Sequence, residues 1–423
     1  MKQHEHYQPP KFGKGNIRNP IPLFSVFMSE KVGDELLKVL YSGFIGQGVK
    51  VDEFEQVLAG IFDNKNVLTV NSGTAALHLA FRLAGVGPGK EVITTPMTCT
   101  ATNMPILANG GKIVWADVDP DTGLIDPVDV ERKINENTVA IVGVDWGGTP
   151  CDWDELNRIG KQYGVKTIDD AAHGLGMTYK GRKAGTLADY TIFSFQAIKH
   201  ITTIDGGALV VRSTEDYVRG KLLRWYGIDR DSDRKDFRCE EDIKEWGYKF
   251  HMNDINATVG IEQFKHLESI VGKHKDNALS LIRGLSNYFK FASSTKFMPP
   301  VPVATKDKGV VSVEPGSAIA AQHSLPNIDS SYWLLTLVLQ DSYVKDEFMK
   351  AMKEKGIMVS SVHARNDTHT CFAESKSNLP GVGKFTSRQV SIPVHWSLTK
   401  EEIAYMIKTM NEWADDFEIK NIF

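Results

Sequence analysis

The chain has 423 residues, 42% of them hydrophobic and 24% charged, with a net charge of −4. That length exceeds the usual limit for one hydrophobic core, so roughly two or three domains are expected. A slightly acidic balance without a long basic run argues against a nucleic-acid surface, although a local basic pocket for a phosphorylated substrate remains compatible with it. Cys99, Cys151, Cys239 and Cys371 are scattered, which offers neither a disulfide framework nor zinc-ligand spacing; no metal is expected, and reduced thiols in the cytoplasm are. The polar N-terminus lacks a signal-peptide pattern, and no apolar run approaches the roughly 20 residues that would cross a membrane.

The first 25 residues, rich in Pro, Gly and Lys, read as an extended arm. A short amphipathic helix is expected over 29–41. From 67 to 212, short apolar runs alternate with helical patterns. Strands are expected at 67–70, 91–94, 112–116, 139–144, 166–169, 191–195 and 208–211, and helices at 74–84 and 153–163 among others. That alternation predicts an α/β fold whose mostly parallel sheet is covered by helices. After Trp225 the pattern changes. A charged loop is expected at 229–238, a helix over 253–267 capped by Asn253 or Asp254, and a longer helix over 267–287 leading into a second domain. There, 330–339 and 358–362 read as strands, 346–355 and 400–414 as helices, and 296–324 as a long surface loop.

Three segments carry chemistry. Asn71-Ser72-Gly73-Thr74 follows a strand and opens a helix; glycine lets an anion approach the backbone, and the first helical N–H groups face it. The same tetrapeptide is also an ordinary helix start. Asp169-Asp170-Ala171-Ala172-His173 closes another strand, at the edge where open α/β sheets bind ligands. An aspartate buried there could keep a pyridine nitrogen protonated; capping by one acid and solvent exposure of the other is the plainer alternative. Lys199 follows the strand bearing Phe193, Ser194 and Phe195. Partial burial would lower its pKa and free the amine for Schiff-base chemistry, and Ser194 could bond a phosphate. A phosphate cradle, a carboxylate and an amine, in this order on one scaffold, suit pyridoxal 5'-phosphate.

From about residue 22 onward the chain resembles the DegT/StrS-type nucleotide-sugar aminotransferases, which are fold type I pyridoxal-phosphate enzymes. Gly46-Gln47-Gly48, Asn71-Ser72-Gly73-Thr74-Ala75-Ala76, Asp117-Val118-Asp119-Pro120 and Asp169–His173 carry the likeness. Lys199, Gly247–Asp254 and Ser391-Ile392-Pro393-Val394-His395 complete it. The resemblance implies a large cofactor-binding domain over 26–270 with a seven-stranded sheet, and a smaller α+β domain over 271–423. It implies Lys199 as the Schiff-base lysine, Asp170 as the pyridinium partner, and His173 against the cofactor. Gly73, Thr74 and Ser194 become phosphate contacts, and Lys249 or a neighbour completes that site from the second subunit of a homodimer with shared active sites. Cys99 falls where the family usually has a ring-stacking aromatic, so stacking is expected from His173 or Trp146. The implied reaction moves an amino group from an amino acid, L-glutamate in most of the family, to a nucleotide-linked keto-sugar. Two alternatives remain: a non-catalytic pyridoxal-phosphate-binding regulator, and the sugar dehydratases of the family, which carry histidine in place of the lysine. Lys199 opposes the second, although His200 is adjacent.

Overall fold

A computed structural model describes residues 17–232, 242–292 and 328–420. The loop expected at 296–324, the first part of the arm and most of the charged loop lie outside these residues. In chain order the strands are β1 Val67–Val70, β2 Glu91–Thr94, β3 Lys112–Trp115, β4 Thr138–Val144, β5 Lys166–Asp170, β6 Thr178–Tyr179 and β7 Arg182–Lys183. They continue as β8 Tyr190–Ser194, β9 Gly207–Val211, β10 Lys290–Phe291, β11 Ile328–Asp329, β12 Leu335–Val338 and β13 Gln389–Ile392.

One seven-stranded sheet has the order β1-β9-β8-β5-β4-β2-β3. The pairs β8–β5, β5–β4, β4–β2 and β2–β3 are parallel, whereas β9 runs antiparallel to both β8 and β1. Six strands therefore end on one edge, and β9 begins there. Strands such as β1, with all four residues buried, read as continuous apolar runs because both faces are covered.

Between β1 and β2, Gly73–Leu83 forms a helix whose N-cap, Ser72, accepts the Ala75 N–H at 3.0 Å. An ordinary cap thus starts the helix. Its first turn meets the start of β9 so closely that a Cβ on Gly207 would lie 2.6 Å from Gly73 N. Only glycine fits at that crossing.

Buried apolar side chains form two clusters. One is built on the large sheet, from Val51 to Val271, and also takes in Phe372, Val382 and Phe385. The other surrounds the antiparallel sheet β10-β12-β13 and the helices Leu267–Gly284, Ser342–Glu354 and Lys400–Lys420. Ile21, from the end of the arm, is fully buried in this second cluster and forms a bridge with Ile357.

The helix expected over 253–267 is Asp254–Phe264, with Asn253 as its side-chain cap, and the next is Leu267–Gly284. Two strand expectations need correction. The run 358–362 is no strand: bridges occur only at Ile357 and Ser360, and Val362 has φ +63°. In the run 330–339 only Leu335–Val338 is a strand, because Tyr332 has φ +47° and breaks the extended path. Left-handed backbone at a β-branched or aromatic residue is uncommon and ends a ladder.

Candidate active site

The C-terminal edge of the large sheet gathers the three segments. Asp169 and Asp170 close β5, and as successive strand residues their side chains face opposite ways. Asp170 accepts the Thr102 hydroxyl at 2.7 Å through Oδ2 and the Ala172 N–H at 3.2 Å through Oδ1. Burial raises its pKa, while those two donors and the Lys199 charge pull it down. A cation arriving at this carboxylate would relieve the cost of burying it.

Asp169 belongs elsewhere. It is fully buried beside Asp145, and burial, followed by the Asp145 carboxylate, pushes its pKa up. Asp145 in turn accepts Cys151 N at 2.8 Å and the Trp153 indole at 3.1 Å. The pair thereby pins the turn that carries Trp146.

Lys199 lies past β8, on a loop underlain by the buried Phe193 and Phe195. Burial lowers its pKa to about 8, against the opposing influence of Asp170 and Cys99. At neutral pH a usable fraction of the amine is therefore unprotonated, as a nucleophile requires. Cys99, half-buried, precedes the helix Thr100–Ala108. Its environment is shared with Lys199, but it offers no ring for stacking.

His173 is buried and held neutral, its pKa driven well below the ordinary value by burial and then by Lys199. Gly147 N donates to His173 Nδ1 at 3.4 Å, which leaves the ring hydrogen on Nε2 as a donor. Trp146 meets the His173 ring edge-on at 6.0 Å. His200, by contrast, is buried and turned to the Ser331 carbonyl at 3.0 Å and the His274 ring at 4.6 Å. It is engaged in packing, not aimed at a substrate.

Gly73 and Ser194 come together as a cradle: a Cβ on Gly73 would lie 2.9 Å from Ser194 Cβ and 3.2 Å from its Oγ. Ser194 is the register partner of Gly207, so the β8–β9 pair lies directly beneath the helix start. Thr74 is exposed at the same helix end. Hydroxyls, first-turn N–H groups and the helix dipole at this end are the features that suit an anion. Lys249 is exposed; its main chain runs beside β1, where its carbonyl accepts the Asn71 amide at 3.3 Å. Behind the loop, buried Arg224 pairs with Glu55, and Glu55 accepts Thr69 N and Oγ1, each at 2.8 Å. This holds the strand that delivers Asn71.

Sequence reasoning missed Trp333, His363 and Thr102. Trp333 is buried and stacks on His173 at 3.9 Å, with an interplanar angle of 18°. His363, parallel to His173 at 6.1 Å, has its pKa lowered to about 4 by burial and by Lys199. Thr98 and Thr102, four apart at a helix start and bonded at 2.7 Å, were the one legible signal. Asn366 docks the His363 segment by donating to Thr98 O at 2.7 Å and accepting Asn103 Nδ2 at 2.9 Å.

A cradle that admits only glycine, a buried carboxylate and a pKa-lowered lysine on one sheet edge fit pyridoxal phosphate, so fold and site together define a fold type I enzyme of that cofactor. The profile of the DegT/DnrJ/EryC1/StrS aminotransferase family matches residues 27–305 and 310–411, and the chain belongs to that family. The sugar aminotransferase CalS13 of Micromonospora echinospora is 34% identical, with a TM-score of 0.79 over 93% of this chain and 99% of that one. Spr1654 of Streptococcus pneumoniae, in its PLP form, is 25% identical with a TM-score of 0.79, covering 94% of this chain and 99% of its own. A Campylobacter jejuni UDP-4-amino-4,6-dideoxy-N-acetyl-beta-L-altrosamine transaminase is 39% identical over 246 residues, 57% of this chain and 64% of that protein. The protein is a pyridoxal-phosphate-dependent aminotransferase. Among the described residues no helix is long and apolar enough to cross a membrane.

Proposed function

We propose that this enzyme transfers an amino group from L-glutamate to a keto-sugar carried on a nucleotide, in the making of amino sugars for a surface polysaccharide or a glycosylated metabolite. The carrying observation is a lysine of lowered pKa, 3.9 Å from the Trp333 ring that stacks on neutral His173 and within electrostatic reach of Asp170. The named sugar aminotransferases and transaminase among its relatives support the substrate class.

When bound, pyridoxal phosphate supplies an electron-accepting ring that makes the donor's α-C–H bond acidic. The chain does the rest. Gly73, Thr74 and Ser194 would hold the phosphate, with Lys249 or a neighbour from the second subunit adding to it. Asp170, held by Thr102, would pair with the ring nitrogen, and neutral His173 would lie against the cofactor. Lys199 Nζ would hold the cofactor covalently until the donor amine displaced it, then take the donor's α-proton and return it to the carbon the lysine had left, and water would release the keto acid. The keto-sugar is aminated by the same steps reversed. Cys99 flanks the lysine without stacking.

A homodimer with shared sites is part of the proposal. Tyr41, Phe44 and Val49 expose 86%, 81% and 75% of their surface, an apolar patch that a second copy would cover. Unpaired thiols at Cys99, Cys151 and Cys371 suit the cytoplasm.

Purified enzyme, glutamate and a panel of nucleotide keto-sugars, read by mass spectrometry, test this reading. One substrate should exchange its carbonyl oxygen for an amine, and Lys199→Ala should abolish that exchange. Turnover undiminished in that variant would reject the assignment.

A further inference from the structure

On that reading the donor amine displaces Lys199 in the first half-reaction and the lysine bonds again in the second, so in between the freed amine must stay within reach of the reacting carbon. Lys199 Nζ lies 3.9 Å from the centroid of the Trp333 ring. The same indole donates its Nε1–H to the carbonyl of Ile198 at 2.8 Å, so it grips the backbone just before the lysine. We propose that Trp333 is a positioning residue, the platform on which the uncoupled ammonium of Lys199 rests between covalent states. This rests on the reading of Lys199 as the cofactor lysine.

The platform is itself fixed. Trp333 is 2% exposed and packs against His173 and, at 5.1 Å, Phe24. The residues before it are tied to the large sheet's edge on every side. Ser331 N donates to Gly148 O at 3.1 Å, Ser331 Oγ donates to His173 O at 2.9 Å, and Ser331 O meets His200 Nε2 at 3.0 Å. Tyr332, with φ +47°, takes the left-handed turn that follows these anchors and precedes the indole. A non-glycine residue persists in that region only where the surroundings over-determine it, and such residues cluster at working sites. His173 and Ile198 O are thus gripped by one short segment, and the ammonium lies over its ring.

An aromatic face attracts a cation and favours the charged amine, opposing the burial that favours the neutral one. The other groups around this amine are Asp170 and Cys99, which raise its pKa, and His173, His200 and His363, whose own pKa values it lowers. The three histidines, their pKa values lowered, carry no positive charge at neutral pH, so the ring, Asp170 and Cys99 are what favour the cation.

The test uses cofactor-free full-length protein, so it reads the resting place of the amine whether or not the sugar reaction is correct. Competitive acylation of lysines across pH, read peptide by peptide by mass spectrometry, gives the midpoint for Lys199. Trp333→Leu should lower that midpoint by about one unit, while Trp333→Phe, which keeps a ring but loses the indole N–H, should hold it. In the loaded enzyme, Trp333→Leu should lower kcat about tenfold with little change in KM. Trp333→Met replaces the leucine variant if that one does not fold. An unchanged midpoint in the aliphatic variant overturns the platform, and so does an equal shift in the phenylalanine variant, which would assign the effect to the lost hydrogen bond.

Discussion

Thr102 donates its hydroxyl to Asp170 Oδ2 at 2.7 Å, and both residues are buried. A carboxylate that must stay ionised in a low-dielectric site depends on such donors, since burial alone drives it toward the neutral acid. Thr102→Val keeps the shape and removes the donor. Cofactor affinity, followed by absorbance titration, should fall about tenfold, the worth of a hydrogen bond to a charged group. Thr102→Ser should restore most of it.

The close approach of Gly73 to Ser194 makes a steric prediction. Gly73→Ala places a methyl group 2.9 Å from Ser194 Cβ, with backbone on one side and a strand on the other. Overpacking of this kind costs about 1–3 kcal/mol. Thermal melts should show the apo-protein destabilised and the stabilisation by pyridoxal phosphate greatly reduced.

Arg224 and Glu55 form a buried pair that also engages Thr69, and Arg224 Nη1 donates to Thr69 O at 2.9 Å. Arg224→Met alone strands the Glu55 carboxylate and should cost about 3–5 kcal/mol in urea unfolding. Adding Glu55→Gln should recover part of that loss; a double variant as unstable as the sum of the two singles would refute the coupling.

His274 makes stability sensitive to acid. It is buried, bonded to Tyr332 O at 2.9 Å, and its pKa is lowered from 6.5 to about 4 by burial. The unfolded chain therefore binds this proton first. Its contribution is fully present above pH 6.5 and is lost as pH falls toward about 4, at about 1.4 kcal/mol per pH unit. The buried acids Asp145 and Asp169, whose pKa values are raised, act with the opposite sign. The comparison that isolates His274 is thus wild type against His274→Gln: the gap at pH 7 should shrink by about 3 kcal/mol at pH 4. A gap independent of pH would show that the imidazole does not titrate this way.

The large sheet was legible because β1, β4, β8 and β9 are mostly apolar runs bounded by turns, and its strand ends carry Asp170 and Ser194. The small domain was legible only in part. Tyr332 and Val362 are strand formers by type, yet both adopt positive φ, and the residues that follow them, Trp333 and His363, turn into the pocket's surroundings. No local pattern announces a tyrosine or valine in left-handed backbone. The two-residue strands β6, β7, β10 and β11 were invisible for a simpler reason: two residues have no period. Trp333 and His363 are also more than 130 residues distant in sequence from Lys199, so only tertiary packing joins them.

The account stands on the covalent chemistry of one amine. Purified protein incubated with pyridoxal phosphate, reduced with borohydride and digested should yield a single phosphopyridoxyl-labelled peptide, modified at Lys199. Label at another lysine, or none at all while Lys199→Ala turns over glutamate normally, would contradict it.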